Sequence, residues 1–184
     1  MVIYLDPAGR PAREVIEYDL RADLCPPVRI GVVSNGFPDS DRFRDILGRH
    51  LSDALGTSDL VLFEKADPSS NYSDEELAAL SECAAVALVF GHCGGCTAGT
   101  ARDSTVLTEV GIPNVGVITA HFWEMFEALV DRSGIVDLPA VEVPYPMQGR
   151  SDDEMNTVAK VLVPRIVGLW EGRDRKAARW QVAA

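Results

Sequence analysis

The sequence predicts a single three-layer α/β/α domain in which helices cover both faces of a mainly parallel sheet of about five strands. From Val28 onward, apolar runs of strand length alternate with longer amphipathic segments. Glycine, proline and small polar residues separate these segments. A chain of 184 residues is long enough for one sizeable domain and too short for two.

Five apolar segments have the composition of buried strands. They span residues 28–34, 60–64, 84–90, 114–119 and 141–143. Because a helix is predicted between consecutive strands, the strands are expected to run parallel. A flavodoxin-like strand order fits five such units.

Five helices are predicted from apolar spacing and from signals at their ends. The first begins at Ser40 or Asp41, and the second begins with Ser73 followed by acidic residues, which is a capping pattern. Gly111 and Pro113 end the third helix. The predicted helices run to about residue 55, over 73–83, 97–110 and 121–130, and over 151–170.

The two ends of the chain differ from the regular middle. Residues 1–27 are rich in proline and are predicted to form an N-terminal arm with a short strand at 2–5, while residues 28–171 form the α/β domain. Residues 172–184 form a basic tail that is either a solvated extension or a docking arm anchored by Trp180. The tail is compatible with assembly into a homo-oligomer or with a partner enzyme.

Composition excludes several classes of partner. The net charge of −11 argues against nucleic acid or an anionic membrane, because both are bound by basic surfaces. No apolar run approaches the roughly 18 residues that span a bilayer, and the N-terminus lacks the pattern of a secretory signal. We therefore expect a cytoplasmic protein, in which a framework of structural disulfides is not expected.

The most informative motif is Cys93-Gly94-Gly95-Cys96, which lies between the third predicted strand and the third helix. A helix N-terminus favours a thiolate, and thiols in such CxxC motifs have pKa values of roughly 3.5–7.5. Two intervening residues bring the sulfurs within disulfide range, and glycine at both positions permits a tight loop. The motif therefore indicates nucleophilic or redox thiol chemistry.

Two other interpretations of the motif stay open. His92, Cys93, Cys96 and His121 have the residue types of a zinc site, but the sequence has no second CxxC, so no metal is expected. The cysteines can also serve only as small apolar residues in a crowded turn. Cys25 and Cys83 have no activating neighbours and are interpreted in that way.

Ligands of parallel α/β sheets bind beyond the carboxyl ends of the strands. His121 is placed there and is the candidate general acid or base. Three of the substrate-binding candidates also have a structural interpretation. Asn35 can adopt a positive φ in a turn, and Thr97 can cap the helix. Arg102 can form an ion pair with Asp103 instead of binding a substrate carboxylate. The substrate-binding candidates are Asn35, Gly36, His92, Gly94, Gly95, Thr97 and Arg102.

No cofactor is expected. The segment after the first strand, Asn35-Gly36-Phe37-Pro38, is not a GxGxxG loop, and the sequence contains no P-loop. Nucleotide cofactors are therefore disfavoured.

The segment Gly91-His92-Cys93-Gly94-Gly95-Cys96-Thr97, together with Asp103-Ser104 and Gly111-Ile112-Pro113, resembles the UGSC-motif family, for which thiol oxidoreductase activity is proposed. In that family the first motif position can be selenocysteine, and a serine stands where this chain has Gly95. The resemblance implies that Cys93 attacks and Cys96 resolves. A remoter similarity, to the selenoprotein component of glycine and betaine reductases, implies a nucleophile that displaces a leaving group.

The leading functional prediction is an enzyme in which the Cys93 thiolate attacks an electrophilic small molecule, Cys96 resolves the adduct and His121 moves protons. The first alternative is a lyase, hydrolase or racemase that needs only one cysteine. The second is a non-catalytic subunit or a zinc-binding module.

Overall fold

The structure is a computed structural model that describes residues 15–173. The strand predicted at residues 2–5 and the tail containing Trp180 lie outside the described residues, and the division into arm, domain and tail stays a prediction. The strands are β1 (Ile16–Glu17), β2 (Ile30–Ser34), β3 (Leu60–Glu64), β4 (Ala85–Gly91), β5 (Asn114–Thr119), β6 (Ile135–Val136) and β7 (Ala140–Val143). The helices are α1 (Ser40–Leu55), α2 (Asp74–Ser81), α3 (Gly94–Glu109), α4 (Trp123–Ser133) and α5 (Asp152–Trp170).

The main sheet has five parallel strands in the order β3-β2-β4-β5-β7. Numbered along the chain, these five strands follow the order 2-1-3-4-5, which is the flavodoxin-like order that the sequence predicts. Every residue of β2, β4, β5 and β7 is buried, as expected for strands covered on both faces. The prediction of the fold class is confirmed.

Helices cover both faces of this sheet. The α1 and α5 helices pack together over one apolar cluster, which includes Phe43 of α1 and Leu162 of α5. The α2, α3 and α4 helices cover the opposite face, where Leu80 and Leu107 belong to one cluster and Phe126 to another. The domain therefore has the predicted three layers.

The helix after the CxxC motif begins earlier than predicted, at Gly94 rather than Thr97. Two adjacent glycines lower helix propensity, so local propensity does not indicate a helix start at Gly94. Cys93 instead caps the helix in an extended conformation and accepts a hydrogen bond from the first turn. A short 3₁₀ turn at Ala120–Phe122, which contains His121, also precedes α4.

A second sheet, which the sequence does not predict, consists only of the parallel pair β1 and β6. Ile16 pairs with Ile135, and Tyr18 N–H donates to the carbonyl of Val136 at 3.1 Å. Residues before β2 are thereby joined to the segment after α4. Among the described residues, no helix has both the length and the apolar character needed to cross a membrane.

Candidate thiol site

The CxxC motif lies where the order of the strands reverses. The chain leaves β2 toward β3 on one side and then crosses to β4 on the other side of β2. Residues that follow β2 and β4 therefore lie on either side of the crevice in which sheets of this type bind ligands. Asn35 and Phe37 come from the first segment, while His92 and Cys93 come from the second.

Cys93 and Cys96 are paired through their sulfurs, with Cα atoms 5.1 Å apart. The backbone N–H of Cys96 also donates to Sγ of Cys93 over 3.1 Å, so this sulfur is the side-chain cap of α3. The two cysteines differ in accessibility, since Cys93 is half-buried and Cys96 is only 1% exposed. Cys93 is therefore the more accessible of the two cysteines to a reagent from solvent.

The two glycines leave the approach to Cys93 open. A Cβ atom at Gly95 would meet nothing within 4 Å, and one at Gly94 would meet only the methyl group of Met125, at 3.9 Å. Cysteine at a helix N-terminus also lies at the positive end of the helix dipole. An anionic sulfur at Cys93 is thus both reachable and electrostatically favoured.

An aromatic stack connects the two histidines of the site. Tyr145, just beyond β7, lies between His92 and His121, with ring centroids 5.0 Å and 4.9 Å away and planes tilted by 26° and 28°. Phe122 contacts the edge of this stack, and Phe37 packs on His92 at 4.8 Å. The stack places His121, predicted as an acid or base, in the same wall as His92.

His92 and His121 have different surroundings. His92 is 5% exposed, and burial lowers its pKa, which favours the neutral form of the ring. Its buried Nδ1 has no hydrogen-bond partner within the part of the chain that the structure describes. His121 is exposed to solvent.

Two of the predicted substrate-binding residues, Asn35 and Thr97, hydrogen-bond to the backbone with their side chains. Nδ2 of Asn35 donates to the carbonyl of Phe90 at 2.8 Å, and Phe37 N–H donates to Oδ1 of Asn35 at 3.2 Å. The positive φ considered for Asn35 belongs to Gly36, where it is 76°. Oγ1 of Thr97 donates to the carbonyl of Cys93 at 2.8 Å, four residues earlier, so Thr97 lies inside the first turns of α3 and the cap is Cys93 rather than Thr97.

Arg102 is engaged by the loop that joins β3 to α2. Its guanidinium donates to the carbonyls of Ser69 at 2.7 Å and Ser70 at 2.5 Å, and it pairs with Asp103 at 2.9 Å. Asp103 also accepts from Lys65, whose side chain is 1% exposed. The ion-pair interpretation therefore describes Arg102 better than a clamp for a substrate carboxylate.

Sequence reasoning did not single out Tyr145 or Lys65. Along the chain, three strands and more than fifty positions separate Tyr145 from His92, and only the order of the strands in the sheet brings the two rings together. The usable signal was its position directly after the last strand, at the same edge of the sheet. Lys65 has a similar position after β3.

Within residues 15–173, no three His, Cys, Asp or Glu side chains are grouped so that they could hold a metal ion, and the structure therefore gives no support to the zinc interpretation. The ring of Tyr145 lies between the two histidines that a zinc site would need.

The fold and the site together define a flavodoxin-like α/β protein with a paired CxxC at the ligand-binding edge of its sheet. Comparison with known families agrees: the model of the UGSC family matches residues 3–172, and the chain belongs to that family. Family membership and the close cysteine pair fit a thiol-based function. A comparison with curated proteins returned no significant match. The remoter similarity to a reductase selenoprotein stays a prediction.

Proposed function

We propose that this protein is a thiol-dependent enzyme in which the Cys93 thiolate attacks an electrophilic small molecule and Cys96 resolves the adduct. The observation that supports this order is the unequal exposure of the two paired cysteines. Cys93 is half-buried and caps α3, whereas Cys96 is 1% exposed. A reagent from solvent reaches Cys93 first, and Cys96 is already within bonding distance.

In the first step, an electron pair on the Cys93 sulfur forms a bond to the electrophilic atom of a substrate R–X. The R–X bond breaks, and X leaves with its electron pair and takes a proton from His121. In the second step, the Cys96 thiolate attacks the Cys93 sulfur, and R leaves with the electron pair of the S–R bond and is protonated.

The net change reduces R–X to R–H and HX by two electrons and oxidises two thiols to one disulfide. R must therefore be able to carry an electron pair, as sulfur or a carbon beside a carbonyl group does. An external thiol reductant returns the disulfide to two thiols. The paired sulfurs of the structure correspond to the oxidised state at the end of the second step.

His121 is the proposed proton donor because it is exposed, while burial favours the neutral form of His92. Stacking on Tyr145 holds the His121 ring in the wall of the crevice. His92 packs behind Tyr145 and supports its ring.

Alkylation tests the proposed nucleophile without knowledge of the substrate. The protein is reduced with a phosphine and treated with iodoacetamide near pH 6, and each cysteine is followed by peptide mass spectrometry. Cys25 is the internal control, because it is exposed and the neighbouring carboxylate of Asp23 raises its pKa. Cys93 is expected to react at least about tenfold faster, as thiols at helix N-termini do. Equal rates at Cys93 and Cys25 would refute the proposal.

The variant Cys96→Ser separates the two-thiol cycle from single-cysteine chemistry. If both sulfurs take part, electrophiles form a lasting adduct on Cys93 in this variant, while the wild type proceeds to the disulfide. Cys83→Ser is the matched control, since burial raises the pKa of that thiol to about 11. Full turnover by Cys96→Ser would favour a lyase, hydrolase or racemase mechanism.

A further inference from the structure

We infer that the buried ion pair between Lys65 and Asp103 positions Cys96 for the second thiol step. The pair fixes the loop of residues 65–70 against the face of α3 that carries Cys96. This inference rests on the proposed function, because it assigns a role within the same two-thiol cycle.

Cys96 and Asp103 lie on one face of α3. An α-helix turns about 100° per residue, so positions three and seven residues apart differ by about 60° and 20° in direction. Gly99, three residues after Cys96, therefore belongs to the same stripe. Asp103 lies seven residues after Cys96, almost directly in line with it.

The loop 65–70 packs directly on this stripe. A Cβ at Gly99 would overlap the carbonyl of Pro68, so loop backbone and helix backbone touch. One turn further, Nζ of Lys65 donates to Oδ2 of Asp103 at 2.5 Å. Arg102, beside Asp103, binds the carbonyls of Ser69 and Ser70.

The same loop begins at the crevice. A Cβ at Gly36 would come within 2.9 Å of the carbonyl oxygen of Lys65, so the start of the loop lies against the segment that follows β2. The loop thus links the floor of the crevice to the stripe of α3 that carries Cys96. Its anchor is closed to solvent, since the side chains of Lys65 and Asp103 are 1% and 6% exposed.

This arrangement affects the two thiol steps differently. Cys93 caps the helix from outside the stripe and is reached from solvent, so its attack does not need the loop. Cys96 is buried and must direct its sulfur at Cys93, so its step depends on how firmly the helix face is held. Lys65 and Asp103 are therefore positioning residues for the second step.

The thiol reagent dithiobis(nitrobenzoate) allows the rates of the two steps to be measured separately in the reduced protein. The Cys93 thiolate attacks the reagent disulfide and releases one thionitrobenzoate, forming a mixed disulfide. The Cys96 thiolate then attacks the Cys93 sulfur and releases the second thionitrobenzoate, leaving the protein disulfide. Rapid-mixing absorbance measures both rates, and Cys25→Ser and Cys83→Ser in the background remove the other thiols.

We expect Asp103→Asn to slow the second release by about tenfold or more, as small displacements of reacting groups do, and to change the first release by less than about twofold. The double variant K65M/D103L replaces the pair with apolar groups, a change that folded proteins often tolerate, and is expected to show the same split. Arg29→Met, which removes the exposed ion pairs of Arg29 with Asp59 and Glu82, is the matched control and is expected to change neither rate.

Equal slowing of both releases, or an unchanged second release in a folded variant, would overturn the positioning role. An absent fast first release in the wild type would instead contradict the proposed nucleophile, and the inference would fall with it. Circular dichroism of each variant shows which of them are folded. If Asp103→Asn does not fold, the double variant decides.

Discussion

Asn35 was predicted to bind substrate, and its contacts in the structure predict a different outcome for the variant Asn35→Ala. The amide is buried and donates to the carbonyl of Phe90, at a position where the β4–β5 ladder is interrupted between Val89 and Gly91. The variant loses two hydrogen bonds and leaves a buried carbonyl without its partner. At about 1 kcal/mol per bond and a further penalty for the orphaned acceptor, we expect a loss of about 2–3 kcal/mol in the free energy of unfolding.

Equilibrium urea unfolding measures this loss, with the fluorescence of the buried Trp123 and Trp170 as the signal. For a domain of this size, the midpoint of thermal unfolding should fall by about 4–12 °C. Asn71→Ala, at an exposed loop position, is the control and should stay within about 0.5 kcal/mol of the wild type. An Asn35→Ala protein as stable as the wild type would refute this reasoning.

Two further predictions concern the aromatic stack. Tyr145→Leu removes both ring contacts, so it should lower the free energy of unfolding by about 1–2 kcal/mol and shift the NMR resonances of the His92 and His121 ring protons. Tyr145→Phe keeps the ring and should preserve the stability and the resonances. Unmoved resonances in Tyr145→Leu would mean that the stack is absent in solution. Burial lowers the pKa of His92 from its ordinary 6.5, so the stability linked to its neutral form is complete above pH 6.5 and decreases as the pH falls through the folded-state pKa. Urea unfolding of wild type and His92→Phe between about pH 7.5 and 5 should show the wild type losing up to about 1.4 kcal/mol more per pH unit, and parallel curves would contradict the assignment.

The main sheet was predictable because its signals are local. The strands are short apolar runs separated by glycine and proline, and two of the helices begin with capping boxes at Ser73 and Ser151. The second sheet was not predictable, since each of its strands has two residues and Ile16 pairs with a residue more than a hundred positions away. No local pattern distinguishes such a pair from an irregular segment.

The site was predictable in part, for a related reason. The CxxC motif carries its own signal, and the order of the strands placed it at the correct edge of the sheet. The roles of Asn35, Thr97 and Arg102 depend on which carbonyl group each one meets, and those carbonyls belong to the backbone of Phe90, Cys93 and the loop after β3. Composition and spacing contain no information about such partners.

The capping bond at the start of α3 has a consequence for how the protein can be monitored. The sulfur of Cys93, which is the proposed nucleophile, also accepts the hydrogen bond of the Cys96 amide. That bond is strongest to an anionic sulfur and weakens when the sulfur carries a carbon substituent. A carbon substituent on Cys93 is therefore expected to weaken the cap, whereas the disulfide with Cys96 retains it, so the hydrogen-exchange rate of the Cys96 amide distinguishes an alkylated sulfur from an unmodified one.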